Sequence, residues 1–305
     1  MLAVLASALV AALPTAVPVP SGTAPPRAAA SRATTPSPPA GDAAWALAQR
    51  IAARPRPAGS AAERTAQALV AGRMRAAGLT VRHDRFAVPG HGRSRNVVGI
   101  RPGRRPCLWI LMAHADSMPG TVGALDNASG VGLLVELAER QRAPGCETWF
   151  VATGAEERLF TGRPDHLGAS ALVRRLRRER RTADVRWALS LDEVGRGRRF
   201  HLRSPAPRAR RGVERALLAA ARRARVPVAW RRDEGAGNSD HRELALAGMA
   251  AMKLGVVDNA CRHRPCDRTP RLQRAAFRRT AAVVLHLLGP VSASSAASRS
   301  GAPPG

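Results

Sequence analysis

Residues 108–116 have the sequence Leu-Trp-Ile-Leu-Met-Ala-His-Ala-Asp, and this stretch carries the clearest signal of the fold. The unbroken apolar run 108–113 predicts a strand buried on both faces, as the strands of a parallel sheet are. The run ends at His114, and Asp116 follows two residues later. A buried strand that ends in potential metal ligands predicts an α/β fold with its functional residues at the carboxyl edge of the sheet.

Apolar runs and helical segments alternate around this strand. The alternation predicts an α/β/α sandwich with a mixed, mainly parallel central sheet and an antiparallel portion near its start. The length of 305 residues favours one large domain over two small ones. The predicted helices are 43–53, Ser60 to near Gly78, 129–142, 169–180, 213–224 and 272–288, and the predicted strands are 79–88, 96–101, 108–113, 148–152, 187–191, 226–230 and 249–254.

Acidic side chains follow several of these strands. Asp126 lies in a glycine-bracketed loop before the helix 129–142, Glu156-Glu157 follows a Thr-Gly-Ala turn, and Asp192 directly follows the strand 187–191. Because parallel strands end at one edge of a sheet, these groups are expected to lie near His114. Adjacent glutamates point in different directions, so one can ligate a metal while the other takes a proton from water. The pattern predicts a metal site.

Each residue also has a structural interpretation. A histidine beside a carboxylate, as at His114, is often a satisfied structural histidine. Asp126 or Asn127 can cap the following helix, and a lone Glu-Glu pair is usually solvated surface. The repetition of such groups at successive strand ends favours the metal site.

Six segments together resemble the zinc aminopeptidases of the M28 family, and the likeness runs from about Gly41 to Leu288. The resemblance implies a peptidase that hydrolyses the N-terminal peptide bond of peptides with a free N-terminus. The segments are His114-Ala-Asp116-Ser117, Gly123-Ala-Leu-Asp126-Asn-Ala-Ser-Gly130, Gly154-Ala-Glu156-Glu157, Leu191-Asp192-Glu193-Val194-Gly195, Asn238-Ser239-Asp240-His241 and Cys261-Arg-His263-Arg-Pro-Cys266-Asp267.

The resemblance also implies two zinc ions per chain. Nitrogen and oxygen ligands of this kind suit zinc. The implied ligands are Asp126 as the bridge, His114 and Asp192 on one ion, and Glu157 and His263 on the other, with Glu156 as general base. Supporting or substrate-binding positions fall on Asp116, Asn127, Asp240 and Arg262.

Two features depart from the family pattern. Arg262 stands where a tyrosine is expected before the last histidine, and its guanidinium is expected either to stabilise an oxyanion or to point to solvent. The segment that follows the two glutamates, residues 158–166, is longer than the corresponding segment usually is in the family. This length predicts an extra loop at the rim of the site. We expect His166 to lie on this solvated loop and His241 to be structural.

The four cysteines predict two disulfides, although four cysteines allow three pairings and reduced thiols are the alternative. Cys107 and Cys146 each precede a strand, so they can meet at one end of neighbouring parallel strands. Cys261 and Cys266 flank His263, and a bridge between them would hold this histidine in place.

Both ends of the chain differ in composition from the predicted catalytic domain, residues 42–290. The apolar run 2–13 has the length of a signal-peptide core, which predicts a leader over 1–28 and secretion or cell-envelope association; an Ala-rich disordered leader is the alternative. Residues 29–41 form a Pro/Ala/Ser-rich linker and 291–305 a similar tail. No other run is long enough for stable membrane insertion.

The formal net charge of +27 predicts association with polyanions, and a non-catalytic polyanion-binding protein is therefore one alternative function. Lysine occurs once, at Lys253, and all other basic residues are arginines, a bias typical of GC-rich codons. Aromatic residues make up only 3% of the chain, which argues against a nucleic-acid stacking surface. The enzymatic alternatives on the same fold are a carboxypeptidase, a dipeptidase and a glutaminyl cyclase, which normally holds one zinc.

Overall fold

The computed structural model describes residues 38–142, 144–158, 165–235 and 237–289. Within these residues, eight strands form one sheet in the order β1-β2-β4-β3-β5-β8-β6-β7. The strands are β1 (Thr80–Val88), β2 (Gly92–Arg101), β3 (Arg105–His114), β4 (Cys146–Thr153), β5 (Val185–Leu191), β6 (Phe200–Ser204), β7 (Val228–Arg232) and β8 (Ala251–Val256).

The centre of the sheet is parallel, and it is flanked on each side by a strand that is antiparallel to it. β4, β3, β5 and β8 run in one direction. β2 pairs antiparallel with β4 and β1 with β2, while β6 pairs antiparallel with β8 and carries β7 parallel to itself. The predicted mixed, mainly parallel sheet with an early antiparallel pair is confirmed.

Helices cover both faces of this sheet. The helices are α1 (Asp42–Ile51), α2 (Ala61–Ala76), α3 (Ser129–Arg140), α4 (Leu167–Arg178), α5 (Glu214–Arg223), α6 (His241–Leu246) and α7 (Arg274–Leu288). Alternate residues of β3 point to opposite faces: Leu111 packs in one core with α1, α2, α3, α5 and α7, and Ile110 packs in the other with α4 and α6. The sandwich therefore has one main core on each face of the sheet.

Two elements were not predicted from the sequence. β6 is a short strand whose burial alternates between buried and half-buried, and it contains His201 and Arg203, so no continuous apolar run marks it. α6 has only six residues. In contrast, the start of α2 is as expected, because the Ser60 hydroxyl accepts a hydrogen bond from the Glu63 amide at 3.1 Å.

Both predicted disulfides are present. Cys107–Cys146 joins the beginnings of the neighbouring strands β3 and β4, and Cys261–Cys266 closes the short segment around His263. The described chain contains no free cysteine, so the alternative of reduced thiols is wrong.

Several predicted segments lie outside the described residues. They are the leader 1–28, most of the linker 29–41, the tail 291–305 and the central part of the rim loop, residues 159–164. Among the described helices, none combines the length and the apolar character that crossing a bilayer requires.

Candidate active site

The candidate site lies at the carboxyl edge of the parallel strands. His114 is the last residue of β3, Glu156 and Glu157 follow β4, and Asp192 directly follows β5. His263 follows β8 within the segment closed by the second disulfide. The structure thus brings together all five predicted metal ligands and Glu156, because parallel strands end at a common edge.

Asp126 is at the centre of this cluster, on the turn before α3. Its Oδ1 lies 3.1 Å from Nε2 of His114, and its Oδ2 lies 3.3 Å from Nε2 of His263. One carboxylate therefore faces two histidines with its two oxygens. Two groups that could hold a metal share this residue: His114, Asp126 and Asp192, and Asp126, Glu157 and His263.

Two carboxylate oxygens of the proposed ligands are buried without a hydrogen-bond partner in the described chain. They are Oε1 of Glu157 and Oδ1 of Asp192. A buried carboxylate oxygen without a partner is costly, and a metal ion would satisfy it. The donor set of imidazole nitrogens and carboxylate oxygens suits zinc. The residues present therefore fit a metal centre.

The electrostatics of the site favour a cation. Burial raises the pKa of Glu157 to about 8, and the charge of Asp126 adds to the shift. Hydrogen bonds with Asp126 and Glu157 raise the pKa of His263 to about 10. Burial opposes ionisation of Asp126, but hydrogen bonds from His114 and His263 lower its pKa to about 2. Crowded carboxylates need positive charge beside them, which protonated histidines or a metal supply.

Asp116 positions the two glutamates. Its two carboxylate oxygens accept hydrogen bonds from the backbone amides of Glu156 and Glu157 at 3.1 and 3.0 Å. Oδ1 also lies 3.6 Å from Nδ1 of His114. Asp116 therefore fixes the direction of the chain after β4 and lies close to the ring nitrogen of His114 that faces away from Asp126.

Asn127 and Asp267 hold the loop that carries Asp126. Asn127 is fully buried; its Oδ1 accepts from the Gly130 amide at 2.9 Å, and its Nδ2 donates to the Leu191 carbonyl at 2.9 Å. The carboxylate of Asp267 accepts from the amides of Leu125 and Asp126 at 2.8 and 2.9 Å. These contacts give Asn127 a supporting position.

Arg262 does not project freely into solvent. Its guanidinium pairs with the buried carboxylate of Glu193, which follows Asp192. Burial opposes the charge, but this pairing raises the pKa of Arg262 above its usual range. Arg262 thus lies in the wall of the site and is held by a buried partner.

A cavity of about 400 Å³ opens over the cluster, and a second of about 470 Å³ adjoins it. Glu193, Asn238, Lys253 and Arg262 line both. The cavities give the polar cluster access to solvent on a scale that fits small ligands.

The model of peptidase family M28 matches residues 96–288, which is most of the chain. The chain is a member of peptidase family M28. The aminopeptidase YwaD of Bacillus subtilis (strain 168) is 35% identical over 89 residues, which cover 27% of this chain and only 20% of that protein. The chain therefore matches about a fifth of the length of that curated relative.

Solved structures share the fold of this M28 chain. BSAP, a zinc aminopeptidase from Bacillus subtilis, superposes with a TM-score of 0.73 at 17% identity, covering 82% of this chain and 94% of that one. Glutaminyl cyclase from Porphyromonas gingivalis superposes with a TM-score of 0.72 at 22% identity, covering 82% and 98%. The M28 fold is therefore shared by proteins described as aminopeptidases and as cyclases.

The prediction that His166 lies on a solvated loop is wrong. This M28 chain buries His166 to 4% exposure, with Nε2 3.1 Å from Oε1 of Glu156. The backbone amide of His166 also donates to the Glu156 carbonyl at 2.9 Å. Burial would lower the pKa of His166, but the charge of Glu156 and the contacts with Glu156 and Glu243 raise it to about 10. The tertiary contact that buries this residue leaves no local sequence signal.

Asp240 and His241 are both buried. Asp240 accepts a hydrogen bond from the Thr153 hydroxyl at 2.5 Å, and burial together with the charge of Glu156 raises its pKa to about 7. His241 lies 2.8 Å from the Asp233 carboxylate through Nε2, as expected of a structural histidine. Asp240 therefore contacts the last residue of β4, three residues before Glu156.

Arg56 was not singled out from the sequence, yet it supports two parts of the site. It is 1% exposed, and its guanidinium donates to the carbonyls of Ala115, Val122 and Gly123 at 2.9, 2.6 and 3.2 Å. It thus ties the segment after His114 to the turn before Asp126.

We expect Arg56→Met to lower the free energy of unfolding by about 3–5 kcal/mol, because several buried carbonyls lose their donor. Urea denaturation measures this. The control is Arg54→Met on the exposed neighbour, which should change stability by less than about 0.5 kcal/mol. Equal effects of the two substitutions would contradict the supporting role of Arg56.

Proposed function

We propose that this M28 chain is a secreted dinuclear zinc aminopeptidase that removes the N-terminal residue of peptides. The observation that carries the proposal is the position of Asp126, whose two oxygens face His114 and His263 on opposite sides. A carboxylate shared between two donor groups is the arrangement that a pair of metal ions needs.

His114 and Asp192 would hold one ion with Asp126, and Glu157 and His263 would hold the other. The partnerless oxygens of Glu157 and Asp192 support this assignment. When bound, such a metal pair lowers the pKa of a water molecule and polarises the scissile carbonyl.

Glu156 is proposed as the general base. Its Oε2 lies 3.9 Å from Nε2 of His114, which directs this oxygen to the ligand cluster, while Oε1 faces His166. Glu156 takes a proton from water and delivers it to the leaving amine. His166 and Asp116 keep the carboxylate in place, the first through its side chain and the second through the backbone amide.

The recognition of a free α-amine is proposed from the carboxylates in the cavity wall. Besides the proposed ligands these are Glu156, Asp165 and Glu193, and the same wall contains Arg158, Arg242, Lys253 and Arg262, of which Arg242 pairs with Asp165 and Arg262 with Glu193. An ammonium group can pair with a carboxylate of this wall, whereas an acetylated terminus carries no charge. Such a contact favours exopeptidase over endopeptidase activity.

The test compares a free peptide with its N-acetylated form, using zinc-loaded protein and mass spectrometry of the products. We expect stepwise loss of the N-terminal residue from the free peptide and at least about a hundredfold slower cleavage of the blocked one, because the charged contact is lost. Equal rates would contradict aminopeptidase activity. A peptide with an amidated C-terminus is the matched control and should be cleaved as fast as the free acid.

Glutaminyl cyclisation is the second candidate function. The observation that favours it is the ion pair of 2.8 Å between Lys253 and Asp192, which partly satisfies Asp192 without a metal. A peptide beginning with glutamine distinguishes the two activities. Cyclisation releases ammonia and keeps the peptide at full residue count, whereas aminopeptidase activity releases free glutamine.

Export from the cytoplasm is proposed from the two disulfides together with the apolar leader, since disulfides persist in oxidising compartments. The net charge of +27 supports a nonspecific association with polyanions at the cell envelope.

A further inference from the structure

Lys253 is the single lysine among the 49 lysine and arginine residues of the chain. It lies on β8, is 5% exposed and is paired in register with Ser190 of β5, close to where that strand ends at the candidate site. A lysine differs from an arginine in presenting one compact charge instead of a planar fork. The chain thus places its only compact cationic side chain beside the proposed metal ligands.

Lys253 contacts one oxygen of Asp192 and leaves the other for a ligand. Its Nζ lies 2.8 Å from Oδ2 of Asp192. Oδ1 of the same carboxylate has no hydrogen-bond partner in the described chain and lies 3.6 Å from Nε2 of His114. The ammonium therefore orients the carboxylate, and it also places a fixed positive charge next to the group formed by His114, Asp126 and Asp192.

Among the described residues, the other ligand group has no lysine or arginine side chain in direct contact with its carboxylates. In the described chain, the only basic side chain within ion-pair distance of Glu157 is His263, itself a proposed ligand. The guanidinium of Arg262 is held by Glu193. The two groups thus share Asp126 but differ by one ammonium in direct contact with a ligand, whereas the buried guanidinium of Arg56 acts on Asp126 and Glu157 from beyond ion-pair distance. A buried positive charge repels a nearby dication strongly, because little water screens it.

We infer that Lys253 makes the two metal positions unequal: it orients Asp192 and weakens cation binding at the position formed by His114, Asp126 and Asp192. The position formed by Asp126, Glu157 and His263 then fills first, and the second ion binds only at higher zinc concentration. The inference rests on the proposed dinuclear centre. It makes occupancy of the second position dependent on zinc supply.

The test is a zinc titration of the metal-free full-length chain in competition with a chromophoric chelator, with the number of bound ions checked by elemental analysis. The wild-type protein should bind two ions with dissociation constants that differ by at least about tenfold. In Lys253→Met the second ion should bind at least about tenfold more tightly, while the first changes by less than about threefold. Lys253→Arg, which keeps the charge, should retain the wild-type difference.

The direction of the change separates an electrostatic role from a purely structural one. If Lys253 only orients Asp192, Lys253→Met will weaken the second ion or leave it unchanged, and either result overturns the inference. The matched control is Arg203→Met: Arg203 pairs with Lys253 across β6 and β8 but makes no ion pair in the described residues. Its substitution should change both dissociation constants by less than about threefold. If Lys253→Met does not fold, Lys253→Gln removes the same charge.

The outcome is distinguishable from failure of the proposed function. Two ions of equal affinity in the wild-type protein overturn the role of Lys253 and leave the dinuclear aminopeptidase intact. Absence of zinc binding to the wild-type protein overturns both proposals.

Discussion

Glu156→Gln is expected to retain zinc and lose turnover. The substitution keeps the shape of the side chain and its contact with His166, but an amide does not accept a proton from water at neutral pH. Loss of a general base typically lowers kcat by about 10²- to 10⁴-fold. Steady-state kinetics on a free aminoacyl substrate measure kcat, and elemental analysis measures the zinc content of the same sample.

The control for this change is Glu139→Gln, the same substitution at a glutamate that pairs with Arg73 on the surface of α3. It should leave kcat within about twofold of wild type, because surface ion pairs contribute little. A Glu156→Gln protein with near wild-type turnover would remove Glu156 from the mechanism. Loss of zinc together with activity would instead make Glu156 a ligand, as its proximity to His114 and Glu157 permits.

Asp126→Asn is expected to impair both metal positions at once. Asp126 is common to both ligand groups, so removing its charge weakens each ion. The affinity should fall by at least about a hundredfold, an effect that even outer contacts of metal sites can reach. Zinc per chain after dialysis against a weak chelator and the residual activity are the two measurements.

His263→Ala provides the comparison, because this residue belongs to only one of the two groups. It should lose the ion held with Glu157 and keep the other. Asp233→Asn is the control at a buried aspartate that pairs with His241 and is not a proposed ligand. An Asp126→Asn protein that retains two ions would contradict a shared carboxylate.

The sequence was sufficient to predict the parallel centre of the sheet and the gathering of the proposed ligands at its carboxyl edge, and there is a physical reason. An unbroken apolar run such as 108–113 fits a strand that is buried on both faces, as in the centre of a parallel sheet, and the end of the run marks the edge of the sheet. Residues just after such runs, including Asp192, are therefore placed by the backbone alone. The family resemblance supplied His263, which no periodicity marks.

Residues positioned by tertiary packing could not be found in this way. Arg56 and His166 lie in loop segments. Arg56 contacts Ala115, which is distant in sequence, and His166 contacts Glu156 only because the chain between them folds back. The same holds for the pairing of Arg262 with Glu193, since the sequence left both oxyanion stabilisation and solvent exposure open. Lys253 was visible as the only lysine, but only the register of β8 with β5 places it beside Asp192.

The most direct test of the central claim is anomalous diffraction at the zinc absorption edge from a crystal of the zinc-loaded protein. Two anomalous peaks are expected, each about 2.0–2.2 Å from an oxygen of Asp126, with His114 and His263 as ligands to different ions. A crystal with zinc bound elsewhere and no peak within bonding distance of Asp126 would contradict that claim.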